Sequence, residues 1–429
     1  DSGDMIKHVE FWPTVLLSLR EMDKNLQPPL QNRGKDDVKD EMLWAYQAFP
    51  KFQLPDGSFT LSTKPQGYAT DNVPFYALDR TMDSNKYIRQ AAGICGMLSL
   101  ELQSSDPALS RKYLDAALLA YNNPGYWKEL EKPESLANVG SKEVSLAAKC
   151  LLAEGYLYKL TNDPIYPPRM ERHAAILAKG LKNRAYRGLR EMYCANDTES
   201  NVLQDCAWVP VQFLRLYPDH KSKAELEDGL RAFAKHVGEL SASTVWGQAL
   251  AMNTPDGQPP ARYSCPTKPR PAGYWPMLAY SLSQIGVQLK DREIILLAER
   301  QLQWCLGKNF ADLCMVSGIG NRFIAGGDHM YMQTEFFNSW LKSDKKLFYY
   351  EGNVPKTVFR NLGDGTVNLK KGFPGSGYPL GYCAMPVAPD YPMHPGICEN
   401  YLPHTAQFTL AATGIYAALE WLEKQKGLK

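Results

Sequence analysis

The sequence predicts an all-α fold, a closed (α/α)6 toroid with long loops on one face. Three observations lead to this class. About twelve segments repeat apolar residues at helical spacing, and strand-like alternation is rare. The helical segments come mostly as consecutive pairs, and long stretches rich in Gly, Pro, Asn and Asp separate these pairs. Paired helices of this number in one domain fit an inner and an outer ring, with functional groups on the loops that the scaffold holds.

The first part of the chain predicts helices at residues 8–24, 36–52, 84–103 and 107–122. The second of these ends in the turn residues Pro55-Asp56-Gly57. Residues 61–82 are rich in Tyr, Pro and Asp and are predicted to be irregular, and residues 123–140 are predicted to form a loop.

The clearest helical pattern spans residues 141–161, where apolar residues recur on one side until Thr161-Asn162-Asp163-Pro164 ends the helix. A second clear pattern spans residues 292–306, because Asp291 can cap its start and Gly307 suits its C-terminal turn. The remaining helices are predicted at residues 170–192, 204–217, 222–241, 274–289, 332–342 and 404–424.

Composition excludes several classes of function. A net charge of +2 gives no electrostatic reason to expect nucleic acid or an anionic membrane as a partner. No apolar stretch approaches the roughly 18 residues that a membrane span needs. The nine cysteines form no Cys-x-x-Cys pair and no zinc-type cluster with histidine. A glycosylation sequon at residues 196–198 favours a secreted or periplasmic protein.

Two carboxylates, Asp1 and Asp4, bracket a Ser-Gly pair just before the first predicted helix. Gly3 permits a tight turn, so both acids can point to one place. The alternative is an ordinary helix start, where Asp favours the cap position and the positive end of the helix dipole. Glu399, which precedes the last long helix, favours a functional interpretation of this pair.

Three segments resemble the catalytic domain of glycoside hydrolase family nine, the cellulase type. Asp1 to Asp4 is similar to the family's Asp-Ala-Gly-Asp signature. Residues 37–57, with Asp40-Glu41-Met42-Leu43-Trp44 and Leu54-Pro55-Asp56-Gly57, resemble the helix that follows this signature. Residues 298–320 resemble the late helix and glycine turn of the family. The resemblance implies one (α/α)6 catalytic domain over residues 1–429, which we expect to be truncated or processed upstream of residue 1.

The C-terminal segment completes the resemblance. Glu399 follows Asp390 by nine residues and precedes Ala406 by seven, which is the spacing that the family uses around its catalytic acid. The resemblance implies that Asp4 is the general base, that Asp1 holds the nucleophilic water and that Glu399 is the general acid. Inverting hydrolysis needs two such carboxyl groups about 6.5–9.5 Å apart, with the pKa of the acid raised.

Several positions that contact sugar in the family differ here. The family's His-His-Arg segment is reduced to His329, which no Arg follows, and the Arg expected two residues after Asp390 is Pro392. His329 and His394 would be partial replacements, although structural histidines are an equal alternative. The matching calcium region reads Gly140-Ser141-Lys142-Glu143, where Lys replaces the family's Asp, so no cofactor is expected and calcium stays only an option.

Tryptophan and tyrosine stack on sugar rings through their apolar faces while keeping a polar edge. We expect such contacts from Trp246 and Tyr274, together with Asp390, in a cleft on the loop-rich face. Trp208 is also predicted to lie where the cleft could use it. Three tryptophans inside helical patterns are instead predicted to belong to the core: Trp44, Trp304 and Trp421.

The sequence therefore predicts an inverting glycoside hydrolase that cleaves a β-linked oligo- or polysaccharide, with the oligomeric state left open. Two alternatives keep the same fold. The missing His and Arg contacts would also fit a glycan-binding protein that lacks hydrolysis. A toroidal epimerase or lyase is the second alternative, and a lyase would yield an unsaturated product that absorbs in the near ultraviolet.

Overall fold

The computed structural model describes residues 7–8, 12–26, 31–32, 35–60, 62–65, 76–79, 88–127, 139–185, 197–242, 247, 249, 271–308 and 402–426. The helices in these ranges are α1 (Trp12–Asn25), α2 (Asp37–Ala48), α3 (Ile88–Leu102), α4 (Pro107–Asn122), α5 (Pro124–Trp127), α6 (Ser141–Thr161), α7 (Tyr166–Lys182), α8 (Asp197–Leu216), α9 (Lys223–Ala242), α10 (Pro271–Leu289), α11 (Arg292–Gln303) and α12 (Leu402–Lys426). The strands are β1 (Lys7–His8), β2 (Gln31–Asn32), β3 (Lys35–Asp36), β4 (Ser62–Pro65) and β5 (Tyr76–Asp79).

Six helices form a closed inner ring in the order α1, α3, α6, α8, α10 and α12, and α12 packs back against α1. The C-terminal parts of all six line one cavity, so the six helices run parallel. The ring confirms the predicted all-α (α/α)6 fold. Among the described helices, α2, α4, α7, α9 and α11 lie outside the ring, each following an inner helix in sequence and packing against it.

The connections divide the barrel into two different ends. The inner helices α3, α6, α8 and α10 pass to their outer partners through short segments, such as residues 103–106 or 290–291, whereas the segment between α1 and α2 is longer and contains β2 and β3. The segments that lead from an outer helix into the next inner helix are long, as at residues 243–270 and 304–401. We call the end where the inner helices begin the loop end, and the end where they finish the turn end.

Local sequence explains several boundaries. The Asp106 carboxylate caps α4 by accepting from the Leu109 N–H at 2.9 Å, and the Asp291 carboxylate caps α11 by accepting from Glu293 N–H at 2.9 Å. Helix α6 ends at Asn162, whose φ of 54° is the left-handed conformation that stops a helix. This is the end that the sequence predicts.

Small residues let neighbouring inner helices approach closely. Gly96 of α3 faces Tyr156 of α6, and a Cβ at Gly96 would lie 2.9 Å from the Tyr156 Cβ. Gly414 of α12 faces Tyr280 of α10, where a Cβ would lie 2.6 Å from the ring. The absence of a side chain at these positions therefore sets the distance between inner helices.

Three predictions about the N-terminal third are wrong. The loop predicted at residues 123–140 contains the short helix α5 (Pro124–Trp127). Helix α1 begins at Trp12 rather than at residue 8, because Lys7 and His8 pair with Thr63 and Ser62 as an antiparallel strand. Residues 61–82 are not wholly irregular, because β4 and β5 pair within them and extend this sheet to the order β1-β4-β5. The predicted helix at 332–342 lies outside the described residues.

Of the predictions about tryptophans, one is confirmed and three are wrong. Trp421 is partly exposed and lines a cavity, so its assignment to the core is wrong. Trp304 is 4% exposed and lies in the core as predicted. Trp44 is 62% exposed on α2, so its assignment to the core is wrong. Trp208 is 1% exposed inside α8, so it does not face a cleft. Within the described part of the chain, no helix combines the length and apolarity that crossing a bilayer requires.

Candidate active site

Most of the predicted site residues lie outside the described part of the structure. Tyr274 belongs to the first turns of α10, although its side chain is outside the described part. The other seven lie outside the described residues, and they are Asp1, Asp4, Trp246, His329, Asp390, His394 and Glu399. For Asp4, Trp246, Tyr274 and Glu399, the structure gives the position of helices that are close to them in the sequence.

The acids precede two helices that are neighbours in the ring. Asp4 comes before α1 and Glu399 comes before α12, and these first and last inner helices pack side by side in parallel. Both helices therefore begin at the loop end. Packed helix axes are typically about 8–10 Å apart. The helices that follow the two acids in the sequence therefore begin side by side at the same end of the barrel.

Chain length limits how far each acid can lie from the nearest described residue that follows it. Asp4 is three residues from Lys7, which is fixed by pairing with Thr63, and Glu399 is three residues from Leu402 at the start of α12. Three residues of extended chain span at most about 10 Å. Each acid therefore lies within about 10 Å of a described residue.

Trp246 and Tyr274 flank the connection from α9 to α10. The residues just after Trp246 are held against α11, because Gln301 donates from Nε2 to the Gly247 carbonyl at 2.9 Å and accepts from the Ala249 N–H at 2.8 Å. Gln301 is fully buried, so this anchor is shielded from water. The segment that carries Trp246 is therefore fixed to the scaffold on its C-terminal side.

The loop end has a distinct electrostatic character. All six inner helices point their N-termini to it, and a helix N-terminus carries partial positive charge that favours nearby carboxylates in the ionised form. This field suits a general base such as Asp4. It opposes the protonated state that a general acid needs, so Glu399 would depend on burial or on neighbouring negative charge to raise its pKa.

Arg89 is a residue that the sequence analysis did not single out. It is the second residue of α3 at the loop end and is 6% exposed. Its Nε donates to the Tyr126 carbonyl at 2.7 Å, and its guanidinium lies 5.6 Å from the centre of the Tyr126 ring. Arg89 thereby joins α3 to α5. A buried cation inside an otherwise apolar helix pattern is the signal that could have identified it.

The region that resembles a calcium site is used for helix capping. The Glu143 carboxylate accepts a hydrogen bond from the Gly140 N–H at 3.0 Å at the start of α6. Within the described ranges, no three His, Cys, Asp or Glu side chains lie close enough together to hold a metal ion.

The chain matches one protein family and is similar in fold to several solved structures. The model of the family described as Glycosyl hydrolase family 9 matches residues 21–353. A Bacteroides ovatus protein named GH9 aligns with a TM-score of 0.62 at 15% identity, covering 97% of this chain and 71% of that one. The cellulase Cel9M of C. cellulolyticum aligns with a TM-score of 0.55 at 13% identity, covering 97% and 86%.

An endoglucanase of the termite Nasutitermes takasagoensis aligns with a TM-score of 0.54 at 15% identity, covering 97% of this chain and 87% of that one. At such low identity these alignments establish the fold, whereas the family match spans more than half of the chain. A search of curated protein sequences found no match.

Proposed function

We propose that this chain, which belongs to glycosyl hydrolase family 9, hydrolyses a β-linked, cellulose-like oligo- or polysaccharide with inversion at the anomeric carbon. The observation that supports the proposal is the parallel packing of α1 against α12, because these two helices follow Asp4 and Glu399 in the sequence and begin at the same end of the barrel. Residues 1–429 would act as one catalytic domain in an extracellular or periplasmic setting.

The two acids take different parts in the reaction. Asp4 acts as general base and removes a proton from a water molecule that Asp1 helps to hold. That water attacks the anomeric carbon from one face of the sugar. Glu399 acts as general acid and gives its proton to the leaving oxygen on the other face, so the bond breaks with inversion.

The remaining candidates bind the substrate. His329, Asp390 and His394 would hydrogen-bond to sugar hydroxyls, and Trp246 and Tyr274 would stack against sugar rings. Because several family contacts are replaced, as at Pro392, the preferred glycan is expected to differ in detail from cellulose.

A single substitution tests the role of Glu399. We expect Glu399→Gln to lower kcat on β-glucan about 10²- to 10⁴-fold, because the amide cannot donate an acidic proton. Glu423→Gln, in the exposed last part of α12, is the matched control and should retain activity. Proton NMR of the first product should show the α-anomer, since inversion converts a β-linkage to an α-hemiacetal.

Three outcomes would contradict the proposal. Unchanged turnover in Glu399→Gln would remove the assigned acid. Glycan binding without release of reducing ends would make the chain a binding protein. A product that absorbs in the near ultraviolet would indicate a lyase.

A further inference from the structure

A cavity lies at the turn end of the barrel, opposite the end at which the active site is proposed. Its volume is about 480 Å³, and the C-terminal parts of all six inner helices line it. Small-molecule sites usually measure about 300–1,000 Å³. With a rise of 1.5 Å per residue, this cavity lies roughly 20 Å along the inner helices from the loop end. The two sites are therefore separate.

One wall of the turn-end cavity is a fixed ionic cluster. Arg20 of α1 pairs with Glu101 of α3, and its NH1 also donates to Glu21 at 2.9 Å. Asn25 donates from Nδ2 to the other Glu21 oxygen at 3.1 Å. Each member holds the next, so this wall presents a rigid set of polar atoms in which one guanidinium lies against two carboxylates.

The facing wall is built from amides. The Arg215 NH1 donates to the Gln284 side-chain oxygen at 2.9 Å. In the amide orientation that satisfies both donors, the Gln212 oxygen accepts from Arg215 NH1 at 3.1 Å and from Trp208 Nε1 at 2.9 Å. Gln212 and Gln284 are 5% and 6% exposed. Within the described chain Arg215 contacts no carboxylate, so its remaining N–H groups are available to a ligand.

Two further side chains in the cavity have groups without a partner in the described structure. Tyr156 is 4% exposed, and its hydroxyl forms no hydrogen bond there. Burial raises the pKa of Tyr156 to about 12, so the hydroxyl keeps its proton at neutral pH and can donate it. Trp421 is partly exposed, and its indole has neither an aromatic nor a hydrogen-bonding partner in the described residues.

This lining matches a neutral ligand rich in hydroxyl groups. The two glutamates and the carbonyl ends of six helices disfavour an anion, while Arg20, Lys24 and Arg215 disfavour a cation. Amide, guanidinium and phenol groups bind hydroxyls as donors or acceptors. An available indole face suits the apolar side of a sugar ring.

We propose that the turn-end cavity binds a neutral mono- or disaccharide, with Trp421 against a ring face and with Tyr156, Gln284 and Arg215 hydrogen-bonded to its hydroxyls. The choice of a saccharide rests on the proposed function, because glycan hydrolysis releases sugars of this size. The cavity would then sense the product at the far end of the barrel from the bond that is cleaved.

The test uses the full chain labelled with 5-fluorotryptophan, and ¹⁹F NMR during titration with cellobiose. Trp421→Phe assigns the Trp421 resonance by its disappearance. We expect that resonance to shift with saturation. The Trp44 resonance, from an indole 62% exposed on α2 and outside the cavity, should stay in place. In Tyr156→Phe, which keeps the ring packed against Gly96, the apparent Kd should rise about fivefold for one lost hydrogen bond.

Each contrary result has a defined meaning. A Trp421 resonance that stays fixed throughout the cellobiose titration overturns the cavity proposal. A Kd that is unchanged in Tyr156→Phe also overturns it. Shifts with sodium glucuronate or phosphate but not with cellobiose overturn the assignment to a neutral sugar. A silent Trp421 in an enzyme that hydrolyses β-glucan refutes only this inference. A Trp421 shift in a chain that hydrolyses no glycan supports this inference and refutes the proposed function.

Discussion

Glu154 is a fully buried carboxylate on the inner helix α6, and it joins three helices. One of its oxygens lies 2.7 Å from His173 Nδ1 on α7, and the other accepts from the Tyr121 hydroxyl on α4 at 3.3 Å. The Tyr121 oxygen in turn accepts from Arg169 NH1 at 2.6 Å. A buried carboxyl group of this kind is tolerated because both of its oxygens have a hydrogen-bonding partner.

We expect Glu154→Ala to lower the free energy of unfolding by about 3–5 kcal/mol, because the change leaves His173 and Tyr121 buried without their acceptor. Urea denaturation followed by circular dichroism measures this loss. Glu154→Gln should lose less, since its amide oxygen still accepts. The matched control is Asp115→Ala, which removes an exposed ion pair with Arg111 and should change stability by less than about 0.5 kcal/mol. Equal losses in Glu154→Ala and Asp115→Ala would contradict the role of the network.

Trp44 shows what single residues reveal before the fold is known. The buried residues of α2 and the turn after it, Val38, Met42, Tyr46 and Phe49, repeat at three or four positions and so form one stripe. Trp44 lies between the positions of that stripe, so helical spacing alone would have placed it on the solvent side. Its place inside a helical pattern, taken without the side of the helix that it faces, led to the wrong prediction. Trp208 was misplaced for another reason, since α8 begins earlier than the pattern indicates.

Among the elements, α12 packs closely against α10 at a glycine. Replacing a helical glycine by alanine usually stabilises a helix by about 0.5–1 kcal/mol. At Gly414 we expect the opposite, a loss of about 1–3 kcal/mol, because the new Cβ would lie 2.6 Å from the Tyr280 ring. Gly238→Ala on α9 is the control, since its Cβ would lie 3.8 Å from Leu297 and should be neutral or stabilising. Thermal unfolding of both variants measures the difference, and a stabilised Gly414→Ala would show that the two helices can separate.

Elements with local signals were predictable, and elements that depend on distant residues were not. Helix α6 has both an apolar stripe and a left-handed Asn162 at its end, so its limits follow from sequence. Helix α7 begins at Tyr166, earlier than predicted, because the prolines in its first turn resemble a helix breaker although that position tolerates them. Strand β1 is two residues long and pairs with β4 across more than fifty residues, which no local pattern reports.

At the scale of the whole molecule, ring closure is what the sequence predicts best. The order of motifs leads to a toroid, and in the toroid α1 and α12 lie side by side and begin at the same end. The positions of Asp4 and Glu399 themselves remain a prediction. The turn-end cavity was not predictable, because six helices spread over some four hundred residues each contribute one or a few side chains to it.

Buried tyrosines throughout the barrel predict a loss of stability in alkali. Burial raises the pKa of Tyr156 and of Tyr166 to about 12 in each case, whereas in the unfolded chain a tyrosine has a pKa of about 10. Their contribution is therefore complete below pH 10 and is lost as the pH rises towards 12, because the unfolded state releases these protons first. We expect the urea midpoint to fall over this interval and to fall less steeply in Tyr156→Phe. An identical slope in both proteins would contradict the assignment.

The parallel direction of the inner helices determines which end of the barrel a fusion partner or a surface would cover. Helix α1 starts at the loop end, whereas α12, at 25 residues, runs to the turn end and finishes there. A surface or fusion partner attached after α12 would consequently leave the opposite mouth of the barrel free to face an insoluble fibre. The same attachment before α1 would lie beside that mouth and obstruct it.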